Sequence, residues 1–369
     1  MLLILAKAAT KQAYKLSIVK VAEDLPKLVR RHAMSLENLS PSRRRFLSSA
    51  LGTSIGLTAL SSGQEPESNP QPTALKRAPH VYKFQIGDAE AWSISDAYFP
   101  LREGLGLMWP EEKRPEMDAL LQEEGRRKED AVPLYVNILV VRTDKETVIF
   151  DAGFGGKENE RMGWLTSGLA LAGISPESIT AAFLSHSHSD HLNGFAREGK
   201  PAFPNAEIHL LQSEIDFWRS PEPDFSETKR NRKNLPNMIK TVRNHFDMLE
   251  EVLTPHKQET TTLLGGLVTI EPAPGHTTGH ACFRIRSGGE EFLHLMDLAH
   301  HDLLMFADPN WTIAFDHHPK QSVETRKVFW SEAAAKKTRC YGFHLPFPGI
   351  GTIIETGPGY RWAAEPWRW

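Results

Sequence analysis

Between residues 181 and 194 the chain reads Ala181-Ala182-Phe183-Leu184-Ser185-His186-Ser187-His188-Ser189-Asp190-His191-Leu192-Asn193-Gly194. An apolar run of strand length ends in four metal-competent side chains within six residues, and few folds can use such a sequence. If the chain stays extended, His186 and His188 share one face, while Asp190 and His191 follow where it turns. Two divalent cations about 3.5–4 Å apart would be satisfied by these donors. A lone histidine is usually a core or surface residue, but packing does not explain four ligands at a strand end.

The rest of the composition narrows the donor types. The 369 residues include 16 histidines and only two cysteines, Cys282 and Cys340, too few for a disulfide framework or a cysteine-based zinc knuckle. Any metal must therefore be held by imidazole and carboxylate. Both cysteines fall in expected strands and read as small buried hydrophobes, with a Cys282–Cys340 disulfide as the minor alternative. No uncharged apolar run approaches the ~18–20 residues that span a bilayer.

The net charge of −3 hides an asymmetry: residues 1–46 carry ten basic side chains against three acidic ones, which leaves a net of −10 on the remainder. An acidic body repels polyphosphate, so nucleic acid is not an expected partner. The basic head has its own reading. Ser42-Arg43-Arg44-Arg45-Phe46-Leu47 precedes a short, mildly apolar stretch, residues 48–60, and resembles a twin-arginine export signal. The expectation is a folded protein passed by the twin-arginine machinery to the periplasm, with the signal either cleaved or kept as an anchor. Residues 1–33 sit awkwardly before such a signal, and Met34 is a candidate true start. Residues 61–79, rich in Pro, Ser, Gln and Glu, read as a disordered linker. Residues 80–369 then form one folded domain.

Within that domain, Val81–Ile86 and Glu90–Ser95 alternate about Gly87-Asp88 as a hairpin. Phe99–Asp130 reads as a loop. Strands are expected at Leu134–Val141, Thr147–Phe150, Thr180–Leu184, Glu207–Leu211, Leu267–Glu271, His280–Arg286, Glu291–Met296 and Arg339–Phe343. Helices are expected at Leu165–Ala172, from a Ser213 cap through Trp218, at Lys229–Met248 with an interruption at Pro236, and at Gln321–Lys337. Strands in both halves with helices between them give an α/β chain of two sheets with helices outside.

The H-x-H-x-D-H run at a strand end resembles the signature of the metallo-β-lactamase fold superfamily, a four-layer αβ/βα sandwich of two mixed sheets. Ala273-Pro274-Gly275-His276-Thr277-Thr278-Gly279-His280, Leu293-His294-Leu295-Met296-Asp297 and Tyr341-Gly342-Phe343-His344 follow in that superfamily's order. The resemblance implies one site of His186, His188 and His276, a second of Asp190, His191 and His344, and Asp297 shared between them. It implies a structural role for His280 and a bracing role for Asp151 in Asp151-Ala152-Gly153. His344-Leu345-Pro346-Phe347-Pro348-Gly349-Ile350-Gly351, Asp308-Pro309-Asn310-Trp311 and Gly359-Tyr360-Arg361-Trp362 look like the methyl parathion hydrolase branch and its lactonase relatives.

The implied chemistry is hydrolysis by a hydroxide held between two divalent ions, zinc first and manganese, cobalt or iron as alternatives. A small hydrophobic ester, lactone or organophosphate triester is the expected substrate. Rival readings are a glyoxalase II-like thioester hydrolase and a non-catalytic metal-binding or sensing module. Asp190 and His300 are the candidates for catalytic contact. N-acyl homoserine lactonases of this fold carry a tyrosine three residues after the shared aspartate, where this chain has His300. Two readings of His300 stay open: a donor to the oxyanion or leaving group that titrates near neutrality, or a solvated surface residue. Trp109, Met108, Trp164, Phe217 and Trp218 are candidate apolar walls. The oligomeric state is open, a homodimer among the options.

Overall fold

The computed structural model describes residues 80–101, 104–126 and 132–368. The export-like head, Met34 and the linker lie outside the described residues. Fourteen strands among the described residues form two seven-stranded sheets, each ordered in space as in sequence. The first contains β1 (Val81–Ile86), β2 (Ala89–Pro100), β3 (Pro133–Arg142), β4 (Thr147–Phe150), β5 (Ala181–Phe183), β6 (Glu207–Leu211) and β7 (Leu253–His256). The second contains β8 (Thr261–Leu263), β9 (Val268–Pro272), β10 (Ala281–Ser287), β11 (Glu290–His294), β12 (Arg339–Tyr341), β13 (Ile350–Thr356) and β14 (Gly359–Ala364).

Both sheets are mixed. The run from β1 to β4 is antiparallel, whereas β4, β5, β6 and β7 are parallel neighbours joined by crossovers. In the second sheet β11 and β12 are the parallel pair, bridged by the long helix Pro319–Lys336. Parallel pairing sets the ends of β4 and β5, and those of β11 and β12, on common edges, where loops from different parts of the chain can converge.

The sheets pack through aromatic residues: Phe84 meets Phe292 at 5.7 Å between centroids, and Phe283 meets Phe150 at 5.3 Å and Phe183 at 5.5 Å. In chain order the helices are α1 (Arg114–Glu123), α2 (Leu165–Leu171), α3 (Ser189–Leu192), α4 (Gln212–Arg219), α5 (Leu235–Leu249), α6 (Leu304–Ala307) and α7 (Pro319–Lys336). A second buried cluster gathers Met117 and Leu121 of α1, Phe306 of α6, Trp330 of α7 and Leu293 of β11. It caps the outer face of the second sheet, as in an αβ/βα sandwich. No helix among the described residues is long and apolar enough to cross a membrane.

Several expectations are corrected. Phe99–Asp130 contains α1, whose buried face needs only Met117 and Leu121 and so leaves a weak periodic signal. Pro236 does not interrupt a helix: it sits in the first turn of α5, where its missing N–H costs nothing, and the basic residues before it lie outside that helix. Ser213 does not cap α4, because Leu211 holds the cap position and the Ser213 hydroxyl donates to Gln258. Cys282 and Cys340 are both free and buried.

Candidate active site

All seven residues expected at the metal site converge at one end of the sandwich. His186 and His188 follow β5, and Asp190 and His191 lie in the single turn α3. His276 sits between β9 and β10, Asp297 in the turn after β11, and His344 just beyond β12. Three groupings among the described residues have ligand atoms within 4.8 Å of one another: His186, His188, His276 and Asp297; Asp190, His191 and His344; and Asp297, His300 and His344. Asp297 reaches all three, with Oδ2 3.1 Å from His276 Nε2 and 3.2 Å from His344 Nε2, and Oδ1 3.3 Å from His191 Nε2.

The ring nitrogens inside this cluster have lone pairs fixed by partners outside it. His276 Nδ1 faces Asp316 Oδ1 at 2.8 Å, His191 Nδ1 faces Asp151 Oδ2 at 2.6 Å, and His344 Nδ1 faces the Tyr135 carbonyl at 2.7 Å. Each such contact requires a proton on Nδ1, which turns Nε2 inward, as a lone pair whenever the ring is neutral. Ser185 Oγ donates to Asp151 and stands 3.0 Å from His186 Nδ1, which gives His186 the same tautomer. His186 Nε2 and His276 Nε2 then approach His188 Nδ1 at 2.8 and 2.9 Å. His191 Nε2 and Asp297 Oδ1 are buried with no hydrogen-bond partner. Acceptors crowded and orphaned in this way fit a donor set for cations.

The electrostatics agree. Burial drives His186 and His188 well below the usual imidazole value. Burial also opposes charge on His191, but Asp297, Asp190 and Asp151 outweigh it and raise its pKa well above normal. The carboxylates demand positive charge, which protons or metal ions can supply.

Asp151 braces the loop as expected, accepting the Ser185 N–H at 2.7 Å besides the Ser185 hydroxyl and His191. His280 is structural: Nδ1 donates to the Ala273 carbonyl and Nε2 accepts the Asp297 N–H. His300 is not a surface residue. It is buried, its Nε2 lies 3.1 Å from Asp297 Oδ2, and its ring stacks on His344 at 4.9 Å. Burial lowers its pKa to about 4, so it is a neutral donor at pH 7 and does not titrate near neutrality.

Sequence motifs did not single out several supports. Glu214 is fully buried and accepts from Ser187 N and Trp218 Nε1 on one oxygen and from Thr277 Oγ1 and Gly279 N on the other. Gly279 allows this approach, since a Cβ there would lie 2.3 Å from Glu214 N. Asp316, which orients His276, sits in the run Asp316-His317-His318, the one local hint available. Arg230 sets its Nη2 3.0 Å from the outward nitrogen of His188, and burial lowers its pKa to about 10.

The expected apolar walls are elsewhere. Met108, Trp164, Phe217 and Trp218 are buried in packing, and Trp109 lies beneath Arg114 and Lys229. The cavity beside the cluster is instead walled by Leu134, Phe154, Met238 and Phe315.

The sequence model of the metallo-beta-lactamase superfamily matches residues 131–329. The chain belongs to the metallo-beta-lactamase superfamily. Two mycobacterial proteins named as probable metallo-hydrolases, from Mycobacterium bovis and Mycobacterium tuberculosis, are each 25% identical over 209 residues. The match takes in 52% of this chain and 66% of theirs, just under two thirds of those relatives' length. Among solved structures, AidC, a dizinc quorum-quenching lactonase in complex with an N-acyl-L-homoserine product, superposes with a TM-score of 0.74 at 29% identity. That match covers 79% of this chain and 99% of AidC. AbOPH, a hydrolase in the beta-lactamase superfamily, superposes with a TM-score of 0.71 at 24% identity over 79% of this chain and all of AbOPH, a likeness of fold. The His/Asp cluster accords with membership of this superfamily, whose matched mycobacterial relatives are named as probable metallo-hydrolases.

Proposed function

We propose that this protein is a dinuclear hydrolase of the lactonase and methyl parathion hydrolase branch, acting on an ester, lactone or organophosphate triester. His186, His188 and His276 would hold one ion, Asp190, His191 and His344 the other, and Asp297 both. What carries the reading is the inward convergence of lone pairs whose tautomers Asp151, Asp316, Ser185 and Tyr135 fix from outside. The likeness to a dizinc lactonase supports zinc and a lactone-type substrate. Two divalent cations, when bound, supply a water of lowered pKa and Lewis acidity at the scissile carbonyl or phosphoryl group.

The chain's own residues do the rest. Asp190 anchors one ion position next to His191 and His344, at 3.6 Å from each ring. His300, neutral and inside the cavity, offers an N–H to the developing oxyanion or leaving group. The apolar wall of Leu134, Phe154, Met238 and Phe315 excludes water around the substrate.

The test is turnover of p-nitrophenyl esters, lactones, thioesters and methyl parathion by metal-loaded protein, with Asp190→Ala as control and elemental analysis of protein purified without added metal. Turnover of an ester, lactone or triester that Asp190→Ala abolishes is expected; turnover of the thioester alone, or none, overturns the proposal. The twin-arginine-like head further supports export to the periplasm, which fractionation of cells with and without Arg43→Lys and Arg44→Lys would test.

A further inference from the structure

The cavity beside the metal cluster encloses about 150 Å³, and Arg230 is the one lysine or arginine among its described lining residues. The guanidinium lies on the Phe315 ring, 4.6 Å from its centroid, with Nη2 3.0 Å from His188 Nε2. Its Nε is buried without a hydrogen-bond partner. Asp190, Asp297 and Asp316 attract it through space, and none of them bonds to it. A partly desolvated cation with an idle donor is costly unless an acceptor fills its fork.

His188 does not fill it for long. Its Nδ1 faces the cluster, and when that nitrogen holds a cation the ring proton must sit on Nε2. The nitrogen next to Arg230, which also faces His317 Nε2 at 3.4 Å, would then be a donor, and the guanidinium would lose it as an acceptor. Because it stands across the imidazole ring from the cluster, it is a ring's width from where the scissile group would lie. That is too far to hold the reacting oxygen, and it suits a second acceptor on the same molecule. Nε and Nη2 form one edge of the guanidinium, the edge that a carboxylate matches with two parallel bonds.

We propose that Arg230 selects substrates that carry a carboxylate close to the scissile ester or lactone bond, with their carbon chain against Phe315 and Met238. This rests on the hydrolase reading above. It makes Arg230 a binding residue for substrate, and it narrows the substrate class from neutral esters to monoanionic ones.

Two measurements on metal-loaded protein test it. The first compares p-nitrophenyl butyrate with the mono-p-nitrophenyl ester of glutaric acid in wild type, Arg230→Gln and Arg230→Lys. Wild type should favour the anionic ester in kcat/KM by roughly tenfold or more, the worth of a charge-assisted pair. Arg230→Gln should abolish that preference, and Arg230→Lys, with charge but no fork, should keep only part of it. The second is calorimetric binding of glutarate, which needs no turnover, and Arg230→Gln should weaken it by a similar factor. Equal ester ratios in wild type and Arg230→Gln, with equal glutarate affinities, would overturn the proposal and leave hydrolysis standing. Glutarate binding that depends on Arg230 without turnover of any ester would uphold the anion site and sink the hydrolase reading instead.

Discussion

The Nε2 of His280 accepts the backbone N–H of Asp297 at 3.1 Å while its Nδ1 donates to the Ala273 carbonyl at 2.8 Å. One imidazole thus ties the loop that carries His276 to the turn that carries Asp297. Burial lowers its pKa to about 3, so the ring stays neutral and both bonds persist through the physiological range.

Replacing it as His280→Phe keeps the volume and removes both bonds, leaving the Asp297 N–H buried and unpaired. Metal affinity should fall ten- to a hundredfold, as removal of an orienting partner typically does. Competition with a chromophoric chelator measures this, and wild-type affinity would show that His280 does not position Asp297.

Glu214 is expected to support the stability of the fold as well as the site. In Glu214→Gln one oxygen becomes an amide nitrogen, so two of its four donors face a donor. A loss of about 2–4 kcal/mol should follow, because buried unsatisfied groups cost ~1–3 kcal/mol each. Urea unfolding of metal-free protein reads the effect directly. A midpoint equal to wild type would mean that these donors find other partners.

Asp96, outside the ligand cluster but within reach of the Asp190 charge, should give the fold a pH-dependent term. The register shift in β2 between Ser95 and Ala97 turns its carboxylate inward to accept the Phe154 and Leu165 N–H groups, each at 2.9 Å. Gly153 makes room, since a Cβ there would lie 2.3 Å from the carboxylate. Burial outweighs the hydrogen bonds and pushes the pKa up to about 6 from 3.8. The folded chain then holds this proton more tightly than the unfolded chain. Stability is fully present below about pH 4 and declines as pH rises to about 6, by up to ~3 kcal/mol. Asp96→Asn should flatten that interval in metal-free protein; parallel curves for the two proteins would rule the assignment out.

Arg326 should act on the site from behind. It is fully buried and donates to the carbonyls of Leu298, Pro309 and Trp311, which fixes the segments leading from Asp297 towards Asp316. Arg326→Met should cost about 3–5 kcal/mol, the range for leaving buried polar groups unpaired. Thermal unfolding gives the number, and a shift within experimental scatter would contradict this role.

The candidate ligand set was legible in unequal parts. His186, His188, Asp190 and His191 announce themselves because four donors follow one apolar strand. His276, Asp297 and His344 are isolated in sequence and were placed by their resemblance to a family order. Asp96, Arg230 and Arg326 escaped because each acts on residues brought near only by the fold; Asp96 and Leu165 are 69 positions apart. The tryptophans misled for a physical reason: a large aromatic side chain gains most by burial, and Trp218 is closed in with Glu214 as the acceptor for its indole. The positions of the strands were legible where alternation was clean, and α1 was hidden because only two of its ten residues are buried.

The two sheets each run through space in sequence order, so the site is also a seam. His186, His188, Asp190 and His191 belong to the first sheet's half of the chain, and His276, Asp297 and His344 to the second. Neither half owns a complete donor set, and the peptide joins them through the short exposed turn between His256 and Thr261. Bound cations would therefore behave as a removable cross-link between two half-molecules, its strength set by free metal concentration. Cutting the chain in that turn should leave fragments whose reassembly is governed by the metal supply.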